Sequence, residues 1–127
     1  MIVIICGGIQ YFLTPSDYAW LDELHATHNI TEVVTGGAAG ADTCGKQWAE
    51  KRWIDTVTFW ANWKKHGKSA GFKRNIRMRD YLMYTTEHHQ TTCGVIGFSG
   101  GKGTAMMLAL AREACIPVYL RTDDTHA

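Results

Sequence analysis

The chain contains no long apolar run. Nothing in it approaches the roughly 20 consecutive apolar residues that a membrane-crossing helix needs, and its first residues do not read as a secretory signal. It also has no Cys-x-x-Cys pair. Cys6, Cys44, Cys93 and Cys115 stand far apart, within or beside apolar segments, where a free thiol behaves as a small hydrophobe. No membrane association is expected, and the free thiols predict a reducing, cytoplasmic setting. The neighbours His88 and His89 have no matching ligand pair close by and would point in different directions on a helix, so no metal is expected and no cofactor is required. Strong net charge is missing too: 13 Lys and Arg against 12 Asp and Glu leave +1, which argues against bulk adhesion to nucleic acid. Finally, no Gly-x-Gly-x-x-Gly follows the first apolar run, and no Gly-Lys-Ser/Thr triplet stands at the Walker spacing. Ordinary dinucleotide dehydrogenases and P-loop nucleotidases are thereby disfavoured.

What is present suits one domain spanning residues 1–127. A chain of this length, 46% hydrophobic and 20% charged, can bury a core without staples. Met1 to Cys6 (MIVIIC) is continuously apolar and ends at Gly7-Gly8, the pattern of a strand buried on both faces. Thr14-Pro15-Ser16-Asp17 is a helix start, and Leu21, Leu24 and His28 follow at helical spacing up to a stop at Asn29. A second strand within Ile30 to Thr35 runs into Gly36-Gly37-Ala38-Ala39-Gly40-Ala41-Asp42, and a second helix continues to about Arg52. Asp55 to Trp60 reads as a third strand with Trp60 in the core, and the polar stretch from Ala61 to Gly71 as a long loop. A helix over about Phe72 to Thr85, a strand over Gly94 to Phe98, a helix over Thr104 to Ala114 and a strand over Ile116 to Leu120 complete the chain, before a polar tail from Arg121 that is expected to fray. This alternation predicts an α/β fold, a Rossmann-like open sheet of about five mostly parallel strands with helices on both faces.

Three of the strands end in paired glycines: Gly7-Gly8, Gly36-Gly37 and, after Ser99, Gly100-Gly101. Ligands of open parallel sheets bind in the crevice at the carboxyl ends of the strands. Where a helix follows at once, its unsatisfied N–H groups and positive dipole end face the same spot, and phosphate is the natural guest. The loops after the second and fourth strands have this arrangement; Gly7-Gly8 taken alone is equally well a tight turn. Asp42 either caps the second helix or binds a ribose hydroxyl or a water, and the two roles are compatible. Seven of the 13 basic residues fall between Lys64 and Arg79 with no acidic residue among them, which points to a discrete anion. Lys64, Lys65, Lys68 and Arg79 read as a solvated basic face, whereas Arg74-Asn75 offers a planar guanidinium and an amide suited to phosphate, ribose or base. Trp63 either stacks on a base or covers the sheet.

The pieces VIICGG, TGGAAGADTCGKQWA, AGFKRNIRM and GFSGGKGTAMM, in this order over nearly the full length, resemble the SLOG superfamily of Smf/DprA-type and LOG-type proteins. The resemblance is to its small YspA-like (YpsA-related) branch. It implies a Rossmann-like fold with a nucleotide or nucleotide-derived ligand. It carries the ligand loops onto Gly36, Gly37, Gly40, Ala41 and Asp42 and onto Gly100, Gly101, Gly103 and Thr104, and an Arg-Asn element onto Arg74 and Asn75. Where many branch members have Arg, this chain has Ala39. LOG enzymes, which cleave the bond between base and ribose phosphate, carry Pro-Gly-Gly-x-Gly-Thr-x-x-Glu; here Ser99 replaces the Pro and Met107 the Glu. Methionine supplies no general base, so catalytic residues stay unassigned.

The leading expectation is a binding module, a ligand sensor or sequestering protein, with candidate contacts at Gly7, Gly8, Gly36, Gly37, Ala38, Gly40, Ala41, Asp42, Trp63, Arg74, Asn75, Ser99, Gly100, Gly101, Gly103 and Thr104. One alternative is a nucleotide hydrolase that uses Asp42 or Glu50 in place of the missing glutamate. Another is single-stranded nucleic-acid binding as in DprA relatives, through the basic segment with Trp60 and Trp63. A homo-oligomer formed through helix faces is compatible with a domain of this size.

Overall fold

A computed structural model of the chain describes residues 1–122. The tail expected to fray from Arg121 is anchored at its first residue, where Arg121 N–H donates to Gly97 O at 2.8 Å and Nε to Asp17 Oδ1 at 3.0 Å; residues 123–127 of that tail lie outside the described part. Among the described residues the elements are β1 (Ile2–Cys6), α1 (Pro15–His28), β2 (Glu32–Thr35), α2 (Ala41–Lys51), β3 (Asp55–Thr58), α3 (Trp63–His66), a 3-10 turn (Gly67–Ser69), α4 (Ala70–His89), β4 (Cys93–Gly97), α5 (Lys102–Glu113) and β5 (Val118–Leu120). The strands form one sheet in the order β3-β2-β1-β4-β5, and every pairing is parallel. The α/β open sheet read from the sequence is thus the fold.

Every residue of β1 is buried because β1 is central and covered on both faces. Val3 and Ile5 enter a core with Leu21 of α1 and Ala41, Cys44 and Trp48 of α2. Ile2, Ile4 and Cys6 enter the opposite core with Met78 and Leu82 of α4 and Met107, Leu108 and Ala111 of α5. Each such aliphatic side chain contributes about 1.5–3 kcal/mol on burial. The chain leaves β1 towards β2 and β3 on one side and returns to β4 and β5 on the other. The strand order therefore reverses between β1 and β4, and a crevice opens at their carboxyl ends.

Local chemistry accounts for the element ends. Thr14 Oγ1 accepts from Asp17 N–H at 3.2 Å while Asp17 Oδ2 accepts from Thr14 N–H at 3.0 Å, a reciprocal capping box with Pro15 in the first turn. Asn29 ends α1 in the left-handed region at φ 54°.

Two readings require correction. The stretch from Ala61 to Gly71 is largely helical: Asn62 Oδ1 accepts from Lys65 N–H at 3.0 Å to cap α3, the 3-10 turn follows, and α4 starts at Ala70. At its other end α4 runs on to His89, where His88 stacks on Tyr84 one turn earlier with ring centroids 4.0 Å apart. Trp60 is not in the core but 64% exposed, because β3 is an edge strand that stops at Thr58 and leaves Trp60 beyond the sheet.

Candidate functional site

Gly8 ties the loops at the crevice together. Its N–H donates to Ser99 O at 2.8 Å, and its carbonyl accepts from Tyr11 N–H at 3.1 Å and Ala41 N–H at 3.2 Å. The β1 loop, the β4 loop and the start of α2 are therefore one hydrogen-bonded unit. Gly40 is indispensable to it: its φ is +76°, and a Cβ there would collide with the Gly8 carbonyl and the Ile9 backbone.

Between these loops and α4 lies a cleft of about 220 Å³, lined by residues that include Gly7, Gly8, Ala38, Asp42, Arg74, Asn75, Gly101, Gly103 and Thr104. Cys6, Met78 and Met107 form its apolar floor. It shares Ile9, Ala38, Arg74, Asn75 and Gly103 with a wider groove of about 630 Å³ that adds Gly36, Gly37, Trp60, Trp63, Lys68, Phe72, Lys102 and Met106. Ser99 and Gly100 line shallower depressions on the far side of the β4 loop. Gly40 and Ala41 line none of these cavities; both are buried, and Ala41 packs its Cβ against Gly7. Glu50 lies outside the cavities, on the exposed side of α2.

Polar groups converge on the cleft from three elements. Arg74, half-buried on α4, donates from Nη1 to Gly36 O at 2.6 Å and from Nε to Asn75 Oδ1 at 2.9 Å. Its Nη2 makes no hydrogen bond among the described residues. Asn75 is buried and also donates from Nδ2 to Gly103 O at 3.3 Å, so it orients Arg74 and fastens α4 to the start of α5. The approach to Gly36 is close: a Cβ there would sit 2.6 Å from Arg74 Nη1. Helix α5 begins at Lys102 with no side chain capping its first N–H groups, and Thr104 in its first turn lines the cleft. Unsatisfied N–H groups, a free guanidinium edge and a hydroxyl make an anion-binding set.

The loop after β2 differs. Asp42 does not cap α2, whose N-cap Gly40 has no side-chain bond. Its Oδ2 reaches back instead, accepting from Gly36 N–H at 3.0 Å and Ala38 N–H at 3.4 Å. The chain's own carboxylate thus takes up two of the N–H groups of this loop. Burial pushes the Asp42 carboxyl up to about 6, against the opposing pull of the Ala38 N–H, the Arg74 charge and the Gly36 N–H. Burial, and then the Asp42 charge, push the Cys6 thiol up to about 12, so it is no nucleophile at neutral pH.

Met107, at the position of the LOG glutamate, is 1% exposed and packs with Met78 under the cleft. Trp63 is 60% exposed at the groove rim. Of the basic segment, Lys68 and Arg74 reach the groove, Arg79 pairs with Asp80 at 2.9 Å, and Arg77 sits over the Phe59 ring at 5.4 Å. Sequence reading missed Ile9, Lys68, Phe72, Met78, Lys102 and Met106 as lining residues. For Met78 a signal existed, since it lies one helical turn after Arg74.

The chain is 33% identical over 105 residues to the Gene 61 protein of Mycobacterium phage D29, an alignment that covers 79% of this chain and 78% of the phage protein. Residues 1–66 match the family described as YAcAr, the YspA, cpYpsA-related SLOG family. That match takes in β1, the β2 loop and the start of the aromatic groove, and it is consistent with a nucleotide-related ligand in general. The glycine loops after β1 and β2, the parallel sheet and these matches together mean that the chain belongs to the YspA, cpYpsA-related SLOG family.

Proposed function

We propose that this protein binds a nucleotide or nucleotide-derived, phosphate-bearing small molecule, as a sensor or sequestering protein. One observation carries the reading: the uncapped start of α5, the free edge of Arg74 and the Thr104 hydroxyl converge on a cleft that opens into an aromatic groove. Because Asp42 already fills the β2 loop, the phosphate belongs at α5 and Arg74. The base belongs in the groove, where Trp63 and Trp60 offer stacking faces and Lys68 and Lys102 favour negative charge. Glycosidic cleavage of the LOG type is not part of the proposal, since Met107 is buried and has no proton to exchange.

A thermal-shift panel of AMP, ADP, ATP, NAD, ADP-ribose, cyclic nucleotides and a short single-stranded oligonucleotide tests this. A ligand at a hundred times its Kd adds about 2.7 kcal/mol, which moves Tm by several degrees. A shift with one nucleotide class that disappears in Arg74→Ala is the expected result. The exposed Trp60 and Trp63 beside Lys64, Lys65 and Lys68 favour strand binding as a second reading. A shift with the oligonucleotide alone, weakening steeply with salt, would make that the better account.

A further inference from the structure

We infer that Asp42 is the acceptor for a sugar hydroxyl of the ligand, at the 2′ or the 3′ position; the inference rests on the nucleotide-binding reading above. Asp42 is 6% exposed and forms no ion pair among the described residues. Its two oxygens are used unequally. Oδ2 is held by Gly36 N–H and Ala38 N–H, while Oδ1 accepts no hydrogen bond among the described residues. Yet Asp42 lines the cleft. Oδ1 is thus open to the cleft rather than sealed in the core, an acceptor that a donor on a bound ligand can reach in place of water.

What can donate is limited by the surroundings. A carboxylate only accepts hydrogen bonds and repels phosphate, so the anion placed at α5 and Arg74 is no partner for Oδ1. Asp42 lines the small cleft but not the aromatic groove, which separates it from the base and its exocyclic amine. The cleft, at about 220 Å³, is smaller than the roughly 300–1,000 Å³ of pockets that enclose whole ligands, and so takes only the sugar-phosphate part. Between phosphate and base, a nucleotide offers donors only as sugar hydroxyls. A site built around such a bond discriminates strongly against an analogue that lacks the hydroxyl, because its buried acceptor is then left unpaired.

The test is calorimetric titration of the whole chain with AMP, GMP, CMP and UMP, their 2′-deoxy and 3′-deoxy counterparts, and ribose 5-phosphate. At least one ribonucleotide should bind about tenfold or more tightly than one of its two deoxy forms. The NH2 of Asp42→Asn could still donate to the hydroxyl oxygen, so the variant that removes the contact is Asp42→Ala, where the ratio should fall below about threefold. Equal binding of ribo and both deoxy forms overturns the assignment of Asp42 and leaves the nucleotide-binding reading standing. A ratio unchanged in Asp42→Ala overturns it too, because the discriminating group then lies elsewhere. If no nucleotide or sugar phosphate binds, the reading under Proposed function fails and the inference with it.

Discussion

Two buried aspartates in one small protein have opposite fates. Asp17, 2% exposed, accepts from Tyr11 OH at 2.9 Å, from Thr14 N–H and from Arg121 Nε at 3.0 Å. Burial alone would raise its carboxyl, but these partners hold it below the usual carboxylate range. Asp42 has only two backbone donors and no ion pair among the described residues, and burial wins, at about 6. A carboxyl raised on folding contributes most when it is protonated, below the unfolded value of 3.8, and that contribution is lost as pH rises through about 6. Asp42→Asn should therefore stabilise the unliganded protein by about 2–3 kcal/mol at pH 8, with the gain vanishing near pH 4. Urea unfolding of both proteins across that range measures it; a variant less stable than the parent at pH 8 would show that the charged form is the better tolerated one. Asp17 runs the other way: its contribution is present at neutral pH and is lost on acidification.

At the scale of elements, the site depends on how strands hand over to helices. The β2–α2 loop closes because Gly40 takes a positive φ against the Gly8 carbonyl, with Thr43 Oγ1 donating to Ala38 O at 2.8 Å. Gly40→Ala should cost about 1–3 kcal/mol from its backbone conformation and more from the collision. It should also remove the nucleotide-induced thermal shift even where the protein remains folded. A Gly40→Ala protein with parental Tm and parental shift would mean that the loop tolerates another path. The long α4 is the other decisive element, because one turn of it supplies both Arg74 and Asn75. Its early start at Ala70 places Phe72 at the groove and Arg74 opposite Gly36.

Across the whole molecule, stability and function separate. The cores on the two faces of β1, β2 and β4 hold the aliphatic mass, whereas the segment from Trp60 to Phe72 carries exposed aromatics over short helical turns. Hydrogen exchange should thus find the slowest amides in β1 and β4 and fast ones in α3 and the 3-10 turn. With a saturating nucleotide from the thermal-shift panel, protection should rise over 36–42, 60–72 and 101–105 and stay unchanged in α1. Protection rising chiefly in α1 or β5 would locate the ligand elsewhere. Trp63→Ala, at an exposed position, should leave Tm within about 0.5 kcal/mol equivalent of the parent while weakening nucleotides more than ribose 5-phosphate. No helix among the described residues is long and apolar enough to cross a membrane.

The order of the five strands and the four longer helices, the start and stop of α1 and the strand–glycine–helix loops were legible in the residues themselves, whereas α3 was not. These features arise from short-range effects: burial period, caps and turn preferences act within a few positions of the chain. The family motifs, being contiguous, were legible for the same reason. What Asp42 does, which loop keeps its N–H groups free, and where Trp60 and Met107 come to lie were decided only by the tertiary structure. Each depends on partners remote in sequence, as when Arg74 meets the carbonyl of Gly36, 38 residues away, or β3 falls at the sheet edge and leaves Trp60 uncovered. Desolvation and hydrogen-bond satisfaction are properties of assembled surroundings, and no local pattern along the chain encodes them.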